Sequence, residues 1–334
     1  MDEKIGGYDA KLTPRTRQMR DENIAYYEGY ESGQADFHPE NVELAKEILG
    51  SLDMKVLKAI FREHLLKSGV PLENSNEAVL DRIFVYPMES NIAEYQSFEN
   101  VMSFSTSDKH FLEAKLHKTE QRTIPQELLM KMQLFFIHEA CHVFSRERIY
   151  STDVNAPQSR LHQDSGYRMA NYTYGEHEST RLISSSFEAF NEGVTQRIAE
   201  EIFLEYHRRA GKSGEADCKL GTFTREQSKS YWSYFLYSNQ VGSMCDSIAE
   251  YTGVPAEEVW KSFKRGYFEK PELFHEETAE LFEETFGKDF LAEYSKMGRT
   301  TPVRDLARFD AKYKLLDPDR YTEKWLRHLG IVKG

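Results

Sequence analysis

Residues 125–145 read PQELLMKMQLFFIHEACHVFS. Thr123 and Gln126 have the spacing of a capping box around Pro125, so a helix is expected to start here and run to about Ser145. Leu128, Met132, Phe135 and Phe136 are available to bury one side of it. Near its C-terminal end lies His138-Glu139-Ala140-Cys141-His142. Residues four apart on a helix stand one above the other, so both imidazoles can reach one metal ion. Glu139 projects from the adjacent edge of that face, where a carboxylate can act as general base without binding the metal. Cys141 leaves the helix on another side and is expected to pack rather than serve as a fourth ligand.

Outward from this helix, the chain divides into three stretches. Residues 1–38 are polar and read as an N-terminal arm with at most a short helix near Asn23–Tyr30. Residues 39–150 form an N-terminal lobe with a small sheet and the metal-binding helix. Val42, Ala45 and Ile48, then Leu57, Ile60, Phe61 and Leu65, mark two helices, the second closed by Gly69 as a C-terminal cap. Ile83–Tyr86 and Val101–Ser105 have a strand pattern, punctuated by Pro87 and Asn91. Residues 151–334 read as a helical C-terminal lobe. Its opening section, from Tyr150 to Arg181, is polar and is expected to be a long loop or a hairpin. Helices are then predicted over Ser186–Arg208, Tyr231–Tyr251, Pro255–Arg265, Glu276–Phe286 and Asp289–Met297, before a partly helical tail from Arg299. The fold class expected is α+β, mostly helical.

The chain has 334 residues, 40% of them hydrophobic, enough for a sizeable core. Its formal net charge of -12 works against binding to phosphate backbones or anionic membranes, so neither nucleic acid nor membrane is an expected partner. Met1–Leu12 lacks the apolar run of a secretory signal, and no stretch reaches transmembrane length. Three scattered cysteines, Cys141, Cys218 and Cys245, do not make a disulfide framework, and the cytoplasm is the default location, export by another route aside.

About fifty residues beyond His142 comes Phe190-Asn191-Glu192-Gly193-Val194-Thr195-Gln196. A His-Glu-x-x-His helix followed by an Asn-Glu-Gly-x-Thr segment resembles the gluzincin branch of the zincin metallopeptidases, and is similar to bacterial zincins of unassigned substrate. The resemblance spans roughly residues 80–300, with specific motifs only at 138–142 and 190–195. It implies a two-lobed zincin-like fold with the small sheet before the metal helix. It also implies one Zn2+ per chain, with Glu192 as third ligand beside His138 and His142. Glu188, one turn earlier, competes for that role, and the flanking Asn191 and Gly193 favour Glu192. An edge strand of the small sheet would receive an extended peptide, for which Val101–Ser105 is the candidate. A Tyr or His of the helical lobe would steady the oxyanion, which points to Tyr231, with Tyr234 and Tyr237 nearby; packing with Trp232 and Phe235 is the ordinary alternative for all three.

Two features depart from the thermolysin-like pattern. The interval from His142 to Glu192 is longer, so extra structure must intervene. Gln196 stands where an acid often supports a zinc-binding histidine, and a neutral amide can orient the ring without supplying charge. The metzincin pattern is excluded by Ser145 and Arg148, which occupy its glycine and third-histidine positions. His162 and His177 read as solvated loop residues. The expected function is zinc-dependent hydrolysis of a peptide or protein substrate with Glu139 as general base. The rivals are a catalytically silent zinc-binding regulator, a hydrolase of non-peptide amides, and a helical protein in which the motif is coincidental. The oligomeric state is left open.

Overall fold

The computed structural model describes residues 8–32, 38–88, 91–155, 158–174, 181–210, 232–269, 276–298 and 300–315. Within the expected arm, Tyr8–Lys11 form strand β1 and Pro14–Glu31 form helix α1, capped by Thr13, whose side chain accepts from the Thr16 N–H. Tyr27 and Tyr30 of α1 bury against Phe84, Tyr86 and Met88, and the Tyr27 and Tyr86 rings stack 4.7 Å apart. The short helix expected at Asn23–Tyr30 is thus the second half of a longer one. Its buried stripe is made of tyrosines, which leaves little aliphatic periodicity to read.

Helices α2 (Pro39–Gly50) and α3 (Met54–Lys67) bury the apolar positions that their spacing predicts. Gly69 takes φ +82, and the bonds Val70 N–H to Leu65 O and Gly69 N–H to Leu66 O close α3 in a Schellman motif. Strands β2 (Ile83–Tyr86), β3 (Ala93–Gln96) and β4 (Val101–Ser105) then form a sheet in the order β2-β4-β3, with β4 parallel to β2 and antiparallel to β3. Val101–Ser105 is therefore the central strand and not the expected edge. All five of its residues are buried, as a strand flanked on both sides must be. The edge facing the metal helix is β3, where buried Ala93 and Tyr95 alternate with half-buried Glu94 and Gln96. Four residues with two polar side chains make too short an alternation to stand out.

After α4 (Lys109–Thr119), helix α5 spans Gln126–Phe144. Its N-cap is Pro125 without a side-chain bond, so the Thr123–Gln126 box does not form. Among the described residues of 147–186, β5 (Glu147–Asn155), β6 (Gln158–Ser165), β7 (Arg168–Tyr174) and β8 (Arg181–Ser186) run antiparallel in sequence order, and β1 adds to β5 in parallel. Of the two expectations for this segment the hairpin is the one that forms, and the helical reading of the chain from 151 applies only beyond Ser186. A single small apolar cluster, Ile149 and Leu161 with Tyr8, Met19 and Phe98, backs this sheet. Its other positions are largely polar, which is why the segment resembles a loop in composition.

Helices α6 (Glu188–Arg209), α7 (Trp232–Thr252), α8 (Ala256–Phe268), α9 (Glu276–Phe286), α10 (Phe290–Tyr294) and α11 (Val303–Tyr313) complete a mixed, mostly helical α+β fold. One continuous core cluster reaches from Val42 of α2 through α5 and α6 to Tyr313 of α11. Among the described residues, no helix is long and apolar enough to cross a membrane.

Candidate metal centre and cleft

Helix α5 stacks His138 and His142 on one face, with ring centroids 5.3 Å apart. Helix α6 brings Glu192 up to them, its Oε2 lying 3.2 Å from His138 Nε2 and 3.6 Å from His142 Nε2. Gly193 makes this approach possible: a Cβ there would stand 2.5 Å from the backbone oxygen of Tyr237 on α7. The three side chains are 2%, 7% and 1% exposed, and their ligand atoms lie within 4.8 Å of one another. Two imidazole nitrogens and a carboxylate oxygen converging in a buried site could hold a metal ion. Burial lowers the proton affinity of His138, but the hydrogen bond to Glu192, with help from Glu139 and Gln196, more than offsets it and raises the pKa.

Each imidazole is oriented by its other nitrogen. His138 Nδ1 lies 2.9 Å from Gln196 Oε1, and Gln196 Nε2 donates to Glu200 Oε1 at 3.0 Å. The charge that a glutamine cannot supply thus stands one turn further along α6, relayed through the amide. His142 Nδ1 lies 3.3 Å from the Tyr267 hydroxyl, which sits 3.0 Å from Thr195 Oγ1. Thr195 Oγ1 is within donating distance of both Asn191 O, at 2.7 Å, and the Tyr267 oxygen, which fixes the hydroxyl beside His142 Nδ1. Burial holds the Tyr267 phenol well above its usual pKa, so it stays neutral in this chain. Because the Gln196 amide oxygen can only accept, the neutral His138 ring carries its proton on Nδ1 and turns an unprotonated Nε2 toward Glu192.

Glu139 is buried, and its Oε2 accepts the Tyr95 N–H of β3 at 3.2 Å. With His142 and Glu192 it lines a cleft of about 280 Å³. One wall carries Glu94, Gln96 and Glu99 from β3 and the turn after it; the other carries Gln163, Arg168 and Tyr172 from the β6–β7 hairpin. Below Ser165 the Glu147 carboxyl is fully enclosed. Its Oε1 accepts from Ser145 Oγ at 3.3 Å and from Ser165 Oγ, while Oε2 has no partner. Burial pushes its pKa up to about 8 against the lowering effect of these serines.

The structure brings His138, Glu139, His142 and Glu192 together. Glu188 is not part of the group; its carboxylate is turned toward Gly298. Cys141 is buried and outside the group, its thiol pKa raised well above the usual value by burial. Tyr231, His177 and Cys218 lie outside the described residues. Tyr234 packs its ring 4.7 Å from that of His138, and Tyr237 is a core residue donating to Gly298 O at 2.7 Å. His162 sits on β6 with its ring stacked on Tyr150 rather than in a loop. Sequence reasoning misses Tyr267, Glu200, β3 and Arg168. None carries a local signal, since each reaches the site through a contact distant in sequence. No protein-family model matches the chain, and neither a curated protein nor a solved structure matches it significantly.

Proposed function

We propose that the chain is a zinc-dependent metallopeptidase of gluzincin type, with one Zn2+ held by His138, His142 and Glu192 and with Glu139 as general base. The observation that carries this reading is the convergence of two imidazoles and a carboxylate, from helices about fifty residues apart, beside a cleft that Glu139 also lines. Three protein ligands leave a position open, as catalytic rather than structural zinc sites do. Bound there, zinc would supply Lewis acidity, making water nucleophilic near neutral pH and polarising a carbonyl.

Glu139 takes a proton from the attacking water and passes it to the leaving amine. The Tyr95 N–H bond keeps its carboxylate at the cleft. Gln196 and Tyr267 hold the two rings by Nδ1, which leaves each Nε2 directed at Glu192. The edge strand β3 borders the cleft, and an extended peptide laid along it would gain main-chain hydrogen bonds, which favours a peptide or an exposed protein loop as substrate. Cys141 and Cys245 are free and buried, in keeping with a reducing compartment, and the proposed location is the cytoplasm.

Elemental analysis of protein purified without a chelating tag should find one zinc per chain. A peptide library should be cleaved by the wild type and not by Glu139→Gln, which keeps the metal; loss of a general base costs about 10²- to 10⁴-fold. Zinc without cleavage would favour the silent binding protein, and absence of stoichiometric metal would remove the reading altogether.

A further inference from the structure

Arg168 begins β7, opposite Ser165 across the hairpin turn Gly166-Tyr167. That turn is pinned on three sides. Gly166 takes φ +52, and a Cβ on it would stand 2.5 Å from Asn191 Oδ1. The Gly166 N–H donates to Arg146 O at 2.8 Å, and the Tyr167 N–H donates to Asn191 Oδ1 at 2.9 Å. The Tyr167 hydroxyl donates to Phe263 O at 2.9 Å, tying the turn to α8 as well. Asn191 immediately precedes the ligand Glu192 on α6, so Arg168 is held at a set position relative to the metal group.

The Arg168 guanidinium commits Nε to Ser185 Oγ at 3.2 Å and Nη2 to the Tyr172 hydroxyl at 3.0 Å, both neutral partners. Of its five N–H groups three are not engaged by these bonds, and although its charge is felt by the buried Glu147 carboxyl, no ion pair joins it to a carboxylate of the described residues. It is also the one lysine or arginine among the described residues lining the cleft, against Glu94, Glu99, Glu139 and Glu192. Among the lining side chains Arg168 is therefore the one fixed cation a carboxylate can meet, and its planar fork matches a carboxylate with two parallel hydrogen bonds.

We infer that Arg168 is the specificity residue of this cleft and selects substrates that place a carboxylate against it, either an acidic side chain or a free C-terminal carboxylate. This rests on the peptidase reading of the site. The β5–β8 sheet, inserted between the metal helix and the third-ligand helix, then serves as the wall that reads the substrate, while β3 holds its main chain.

The test uses the zinc-loaded full-length chain and matched peptides built around a cleaved library sequence. One series exchanges Glu for Gln at each position near the scissile bond; the other exchanges a C-terminal acid for its amide. One series should show about a 10- to 100-fold preference in kcat/KM for the charged form, the range expected for a hydrogen bond to an ionised partner. The responding series identifies the source of the carboxylate. In Arg168→Gln the ratio should fall close to one, and Arg168→Lys, which keeps the charge and loses the fork, should retain part of it. Binding supplies a readout independent of turnover: fluorescence anisotropy with Glu139→Gln should give the same ratio in Kd, lost in Glu139→Gln/Arg168→Gln. A wild type indifferent in both series, or a preference that survives Arg168→Gln, overturns the inference. A Kd preference that depends on Arg168 in a protein that cleaves nothing sustains it and refutes the peptidase reading instead.

Discussion

Replacing Glu147 by glutamine should stabilise the protein at alkaline pH. The carboxyl has a pKa of about 8 in the folded chain against 4.5 as an ordinary glutamate, because it is buried with one oxygen unpartnered. Its folded pKa is raised, so its contribution to stability is fully present below the unfolded pKa and is lost as pH climbs through the folded one. At 1.36 kcal/mol per unit the full swing is about 4 to 5 kcal/mol, of which about 3 kcal/mol falls between pH 5 and pH 8. A glutamine side chain has the shape of the protonated acid and cannot ionise, so the substitution should remove this slope. For a chain of this length, about 3 kcal/mol corresponds to a shift in Tm of about 4 °C. The assay is thermal and urea unfolding of the metal-free wild type and Glu147→Gln at matched pH values from 5 to 9. The two should lie closest at pH 5, and the variant should gain steadily from there to pH 8 and level off above it. Parallel curves at every pH, or a wild type gaining on the variant as pH rises, would mean that Glu147 is ionised in the fold and refute the argument.

Tyr267→Phe removes the hydroxyl that lies against His142 Nδ1 and orients the ring, and zinc affinity should fall about 10- to 100-fold, measured by competition with a chelator. Unchanged affinity would show that His142 needs no such orientation. Glu192→Ala should lose stoichiometric zinc while remaining folded by circular dichroism; full metal content in this variant would reassign the third ligand.

The site is legible in sequence where its chemistry is local. His138 and His142 share a helix face by spacing alone, and the second motif singles out Glu192 over Glu188. Helices α2 and α3 are readable because aliphatic residues recur at three and four, and Gly69 marks the end of α3 through the backbone shape it permits. What escapes is what depends on pairing. Strand β3 is defined by β4 and by the metal helix against it, not by its own four residues. The segments β5 to β8 are strands because each has a neighbour, although their polar side chains leave loop and hairpin equally open in the sequence. Tyr267 meets His142 across 125 residues, a distance over which no periodicity speaks. The oxyanion donor expected at Tyr231 falls outside the described residues, so that role keeps only its sequence argument.

The single core that runs from α2 to α11 has a mechanical meaning. The helices carrying the ligands, α5 and α6, are buried in the same apolar mass, so swinging them apart would tear open the interior rather than turn a hinge. The geometry of His138, His142 and Glu192 is consequently assembled once, during folding. The turn of the β6–β7 hairpin is fastened to the same mass through Asn191 of α6 and Phe263 of α8, so the wall that carries Arg168 is set together with the floor. A ligand entering this cleft would meet a floor and a wall that are both already in place.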